Sequence, residues 1–151
     1  MEIRKVLWPT DFSDSAAAAL PYVKSLGINH DSEIHLLHVI DDIVHHEAWY
    51  GEFDEAHMVK LTEKLRKKAA ERLDQICDRH LEGCRLFIKH VAIGDPAAEI
   101  LKFIRNEKID SVVMAKEGES GNFSFGSTTE RVVKHSPVPV TVIPAGKSDK
   151  D

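Results

Sequence analysis

Short apolar runs alternate with stretches of helical period along this chain, and few architectures accommodate that alternation. Ile3 to Trp8, Ile34 to Ile40 (IHLLHVI), Leu86 to Val91, Ser111 to Ala115 (SVVMA) and Val138 to Ile143 read as strands. Between them, Ala16 to Leu26 reads as a helix, with Gly27 placed to stop it. From Glu55 to Leu81, Leu61, Leu65, Ala69, Leu73, Ile76 and Cys77 recur at helical spacing and predict a long amphipathic helix. Gly94-Asp95-Pro96 supplies a turn, an N-cap and a proline at the first helical position, opening a helix through about Arg105. A last helix runs from about Ser127 to His135. Strands that alternate with helices imply an α/β fold with a mainly parallel sheet, because parallel neighbours need crossover connections. Ligands of such doubly wound sheets bind beyond the carboxyl ends of the strands, so the segments after the first, second and fourth strands matter most.

At 151 residues the chain has the length of one domain, and its 42% hydrophobic and 30% charged residues are a globular balance. A net charge of -5 argues against nucleic acid or an anionic membrane as a partner. The basic run Lys64 to Lys68 reads as the solvated face of a helix, with Glu63 and Lys67 at the supporting i, i+4 spacing. Cys77 and Cys84 form no CxxC motif and read as reduced thiols, and no run is long and apolar enough for a signal peptide or membrane span. The expected location is the cytoplasm.

Three segments could carry chemistry. In PTDFSD, after the first strand, Asp11 could accept hydrogen bonds from an adenine amino group or a ribose hydroxyl. Equally, Asp11, Ser13 or Asp14 caps the next helix, and spacing alone favours the cap. Val39, after the second strand, could present its backbone to a base or simply end the strand. In MAKEGESGNFSFGST, Gly118, Gly121 and Gly126 permit close backbone approach, and Gly126-Ser127 opens a helix whose amides can hold an anion. Ser127 and Glu130 also have the spacing of a capping box, which satisfies the same amides without a ligand. There is no GxxxxGK[ST], no GxGxxG after the first strand and no GxSxG. His45 and His46 read as solvent-exposed, with a weak metal site including His57 as the alternative. Trp49 and Tyr50, in the irregular stretch Asp41 to Asp54, read as a cover for the sheet or as an interaction patch. No nucleophile is placed beside a base, so catalysis has no positive signal and any ATPase activity would be weak.

Read together and in order, KVLWPTDFSDSA, IHLLHVID, GDPAAEIL, DSVVMA and GSTTERVVKHSPVPVTVI resemble the universal stress protein family. The resemblance implies a Rossmann-like, adenine nucleotide alpha hydrolase-like three-layer sandwich with a five-stranded parallel sheet in the order 3-2-1-4-5. The domain would span residues 1–145, leaving 146–151 as a polar tail. The family also implies a homodimer through Val138 to Ile143. Pro139, read as lying inside that strand, independently suggests a sheet edge, and an apolar edge invites pairing with a copy of itself.

ATP-binding members resemble the pattern Gly-x2-Gly-x9-Gly-Ser/Thr after the fourth strand. Here Ala115 stands at the first glycine, Gly118 at the second and Gly126-Ser127 at the last pair, with seven residues between Gly118 and Gly126. The loop is two residues short. Glu117 and Glu119 would repel a polyphosphate by on the order of a few kcal/mol per unrelieved contact, with Lys116 a partial compensation. The positions that match the family's base, ribose and phosphate contacts are Pro9, Thr10, Asp11, Val39, Met114, Ala115, Gly118, Gly126, Ser127 and Thr128. The resemblance therefore implies weak binding of an adenine nucleotide, AMP or ADP in preference to ATP, with magnesium only beside a polyphosphate. The alternative is a homodimeric interaction or regulatory module of the same family, with an unidentified protein partner and no nucleotide.

Overall fold

A computed structural model describes residues 2–41, 55–83, 86–116 and 126–144. The elements are β1 (Lys5–Pro9), α1 (Asp14–Ala17), α2 (Leu20–His30), β2 (Glu33–Asp41), α3 (Glu55–His80), β3 (Leu86–Gly94), α4 (Pro96–Asn106), β4 (Ser111–Ala115), α5 (Ser127–His135) and β5 (Val140–Ile143). Every strand pair is parallel, and the sheet order is β3-β2-β1-β4-β5. This is the α/β architecture and strand order expected from the sequence.

Side-chain alternation along the strands builds two cores. Val6, Trp8, Ile34, Leu36 and Val113 face one way, packing with Ala16, Leu20 and Val23 and with Leu73 and Cys77 of α3. Leu7, Leu37, Val112 and Met114 face the other way, against Ala97, Ile100 and Ile104 of α4 and Val132 of α5. Leu7, Leu36 and Leu37 are almost completely buried. Truncating such a leucine to alanine costs about 2–5 kcal/mol, so both layers are needed.

Several boundaries differ from the sequence reading. The first helical segment breaks after Ala17 and restarts at Leu20, because Pro21, near the start of α2, has no N–H to continue the preceding turn. Gly27 does not stop α2. It is buried inside the helix, which ends at Asp31 in a left-handed conformation with φ 53. Leu61, counted on the apolar face of α3, is exposed, whereas Met58, Ala69 and Leu73 are buried. β5 begins at Val140, so Pro139 precedes the strand; its carbonyl accepts the Val112 N–H at 3.0 Å. β3 continues to Gly94, whose φ of 151 and close Glu99 neighbour leave no room for a Cβ: one would fall 2.8 Å from Glu99 Oε1. Asp95 then caps α4 through Ala98 N–H at 3.0 Å, as expected.

The register shapes the upper rim. Pro9 pairs with Leu37, yet β2 and β3 continue together to the pair Asp41–Gly94. Leu7 pairs with Val112, which sets Pro9 level with Met114 on the neighbouring strand. β1 and β4 therefore stop below the overhang of β2. The notch lies where the strand order reverses, the place where sheets of this kind open a crevice.

Candidate functional site

A cavity of about 630 Å³ occupies that notch, within the size range of small-molecule sites. Among the described residues its walls come from the β1–α1 turn, the β2 overhang, α3, the start of α4, the end of β4 and the start of α5. Nine of the ten sequence-predicted positions lie among the described residues, and all nine line this cavity: Pro9, Thr10, Asp11, Val39, Met114, Ala115, Gly126, Ser127 and Thr128. Gly118 lies outside the described residues, as do Glu117, Glu119 and Gly121. The floor is apolar: Leu37 and Met114 belong to the core, and Val39 packs against it.

On the β1 side, the turn is held by its own side chains. Thr10 N–H extends the ladder to Leu37 O at 2.9 Å. Thr10 Oγ1 accepts Phe12 N–H at 3.0 Å, and Asp11 Oδ1 accepts Ser13 N–H at 2.9 Å. The cap of α1 is Ser13, which accepts Ala16 N–H at 3.1 Å. Of the three capping candidates the structure thus selects Ser13 and leaves Asp11, an exposed carboxylate, at the cavity wall. A carboxylate there can accept from an amino group or a hydroxyl of a guest.

On the β4 side, the start of α5 is tied to the end of the strand. Thr129 Oγ1 donates to Ala115 O at 2.8 Å, and Gly126 N–H donates to Lys116 O at 3.0 Å. The predicted capping box does not form. The N-cap is Gly126, which has no side chain to cap with, and Ser127 is already the first helical residue. One residue of offset moves the Ser127 hydroxyl out of the capping position. The helix therefore presents its first amides, and the positive end of its dipole, without a side-chain cap.

Several lining residues have no counterpart in the sequence prediction. His38, Phe12, Lys68 and Arg72 all line the cavity. His38 Nδ1 donates to Thr10 O at 2.8 Å, which leaves Nε2 as the acceptor of the neutral ring. Burial pushes the His38 pKa below its ordinary value and Arg72 adds to that, against the Thr10 hydrogen bond and Asp11. Lys68 belongs to the basic run that reads as a solvated face; Arg72 lies one turn beyond it. Both are exposed, but one turn apart on α3 they also border the mouth. The signal was present in the i, i+4 spacing of two cations above Ala69 and Leu73, but sequence alone does not say what that face overlooks.

His45, His46, Trp49 and Tyr50 lie outside the described residues, so of the suggested histidine site only His57, on α3, is described. Among the described residues no group of three or more His, Cys, Asp or Glu side chains could hold a metal ion, and no helix is long and apolar enough to cross a membrane.

A family model for the universal stress protein family matches residues 2–144. The universal stress protein MJ0577 of Methanocaldococcus jannaschii is 31% identical over 153 positions, covering 93% of this chain and 94% of that one. A solved structure of MJ0577 superposes with a TM-score of 0.83 at 30% identity, over 98% of this chain and 100% of the other. Two more distant structures share the fold. A universal stress protein family protein from Arabidopsis thaliana, solved with AMP bound, gives a TM-score of 0.64 at 19% identity, covering 98% of this chain and 96% of that one. A universal stress protein in complex with cAMP gives 0.68 at 14% identity, covering 97% and 100%.

Proposed function

This chain belongs to the universal stress protein family, and from that premise we propose that it is a cytoplasmic stress-response regulator that holds an adenine nucleotide weakly. The nucleotide sits in the mouth between the β1 turn, β2, β4 and α5 and acts as a regulatory ligand. One observation carries this reading: α5 opens at the cavity with a glycine N-cap and, among the described residues, no side-chain cap, in a lining that also holds the Asp11 carboxylate and an apolar floor. An adenosine-type guest needs those three features: acceptors for its amino group or hydroxyls, a flat apolar seat, and amides for a phosphate. That two proteins of the same fold were solved with AMP and cAMP supports the same ligand class.

Asp11 takes the base or ribose, Val39 and Met114 seat the ring, and Gly126, Ser127 and Thr128 receive the phosphate. Ala115 adds a methyl at the position where the family's ATP-binding pattern has its first glycine. Glu117 and Glu119, with Gly118 between them, disfavour added phosphates, so AMP or ADP binds more tightly than ATP, and magnesium enters only with a polyphosphate. Titration calorimetry with AMP, ADP and ATP, with and without magnesium, tests the order. Tightest binding to ATP contradicts it.

The family also points to a two-fold dimer through Val138 to Ile143. β5 ends the sheet, with its outer edge unpaired among the described strands, and such an edge favours pairing with its own copy. A monomeric mass by light scattering at micromolar concentration counts against the dimer. Dimers that neither co-purify with a nucleotide nor bind one in titration establish the second reading, an interaction module that works through its surface.

A further inference from the structure

The turn that carries Asp11 to the cavity holds a backbone conformation its sequence does not favour. Phe12 sits at φ 65, in the left-handed region, where a bulky side chain is an outlier. Such a conformation persists only where the surroundings over-determine it. Contacts from three elements do so here. From the turn itself, Thr10 Oγ1 accepts the Phe12 N–H at 3.0 Å. From β2, the His38 ring packs on the Phe12 ring with centroids 4.2 Å apart, while its Nδ1 donates to Thr10 O at 2.8 Å. From α3, the Arg72 guanidinium lies over the same Phe12 ring, its carbon 4.2 Å from the centroid, well within cation–π range.

We propose that Arg72 is a positioning residue for the nucleotide site: from α3 it holds the Phe12 ring, and through Phe12 it fixes the turn that presents Thr10 and Asp11 to the ligand. This rests on the nucleotide reading above and adds to it how affinity is set. Arg72 borders the cavity, so the obvious role for its charge is a phosphate contact. The geometry gives it another task, because its guanidinium carbon lies over the Phe12 ring, and the two roles are told apart by experiment. Lys68, one turn earlier on α3, borders the same cavity and serves as the comparison.

The two roles differ in how they depend on the guest. A phosphate contact matters more as phosphates are added and not at all for adenosine. A residue that positions the turn matters equally for adenosine, AMP and ADP, because all three share the groups that Thr10 and Asp11 meet. The experiment measures the affinity of these three ligands for the wild type, Arg72→Ala, Arg72→Lys and Lys68→Ala by calorimetry. On the same ligand-free proteins it measures amide hydrogen exchange at Phe12 and Ser13, whose N–H groups are held inside the turn.

Arg72→Ala is expected to weaken all three ligands by a common factor, roughly two- to fivefold, the size of an exposed cation–π contact. It also speeds exchange at both amides. Arg72→Lys, which keeps a cation over the ring, recovers part of both effects, and Lys68→Ala leaves the exchange rates at the wild-type level. A loss that grows from adenosine to ADP, or unchanged exchange in Arg72→Ala, overturns the proposal. Should the wild type bind none of the three, the nucleotide reading fails separately. The exchange rates then still decide whether Arg72 holds the turn.

Discussion

On the β1 side of the cavity mouth, Thr10 and Asp11 accept hydrogen bonds from Phe12 and Ser13, and His38 and Arg72 pack on the ring of Phe12. On the β4 side, Thr129 and Gly126 tie α5 to the strand end, but the N-cap, Gly126, has no side chain to close the helix start. The first wall is set before any guest arrives, and the polar groups left over are side-chain acceptors. The second is anchored at its base and presents backbone donors. A guest that satisfies both must offer hydrogen-bond donors at one end and an anion at the other, and this is the polarity of a nucleotide. Under the proposed function the roles divide as well: the β1 wall would read the nucleoside, and the β4 wall would respond to phosphate.

Substitutions can break that division. The largest effect is expected at Asp11. Asp11→Ala removes a charged acceptor and the support of Ser13 N–H together, and should weaken AMP by about 1.5–3 kcal/mol, or roughly tenfold or more. Because the loss lies on the nucleoside wall, adenosine should suffer as much as AMP in parallel titrations. If adenosine is spared, the walls do not share the work in this way.

A smaller effect belongs to the anchor of the second wall. Thr129→Val deletes the 2.8 Å hydrogen bond to Ala115 O with little change in shape, at a cost of about 1 kcal/mol in folding stability. Calorimetric melting should show Tm lowered by roughly 2–4 °C. An unchanged Tm with weaker AMP binding would mean that the bond serves the ligand alone.

Ser127→Asp sharpens the contrast, because the same change moves stability and binding in opposite directions. A carboxylate in the first turn of α5 complements the helix dipole and should stabilise the protein by about 0.3–1 kcal/mol. The same charge stands where a phosphate is proposed to lie, so AMP should bind more weakly while adenosine is barely affected. Equal losses for both ligands would remove the phosphate from this wall.

The smallest effect is a pH dependence on the β1 side. His38 has a folded-state pKa below the ordinary 6.5, chiefly through burial. Its neutral form is therefore the one the folded protein prefers. The associated stability is complete above about 6.5 and is lost as pH falls through the lowered folded value. His90, half-buried on β3 beside His35 and Phe103, is shifted in the same direction, by burial first and by His35 second, with Glu107 opposing. Tm should decline between pH 7 and pH 5.5, and His38→Gln should flatten only the part due to the cavity wall. If the slope persists in full in His38→Gln, the dependence belongs to His90 instead.

Much of the frame was legible because local pattern and tertiary need coincide. Asp95-Pro96 reads as a helix start and is one, and SVVMA reads as a doubly covered strand and is buried from Ser111 to Met114. Legibility failed where one residue of register decides the chemistry. Ser127 and Glu130 have capping-box spacing, but the helix begins one residue too early for the box to close. Pro21 carries the signal for the break between α1 and α2, inside the stretch Ala16 to Leu26 that reads as one helix. Asp11, Ser13 and Asp14 are equivalent cap candidates by spacing, and only the folded turn separates the cap, Ser13, from the carboxylate at the cavity wall, Asp11.

The sequence by itself determined the order and kind of the elements, since the period of burial is written into each segment, and its family resemblance supplied the nine lining positions, near the carboxyl ends of β1, β2 and β4 and at the start of α5. Only the tertiary structure decided which side chains share a wall. His38, Arg72 and Phe12 are far apart along the chain, and their stacking follows from where α3 lies across the sheet. Periodicity reports which face of a helix is apolar. The neighbours of its polar face are fixed by how distant segments pack, and a local pattern holds no record of that.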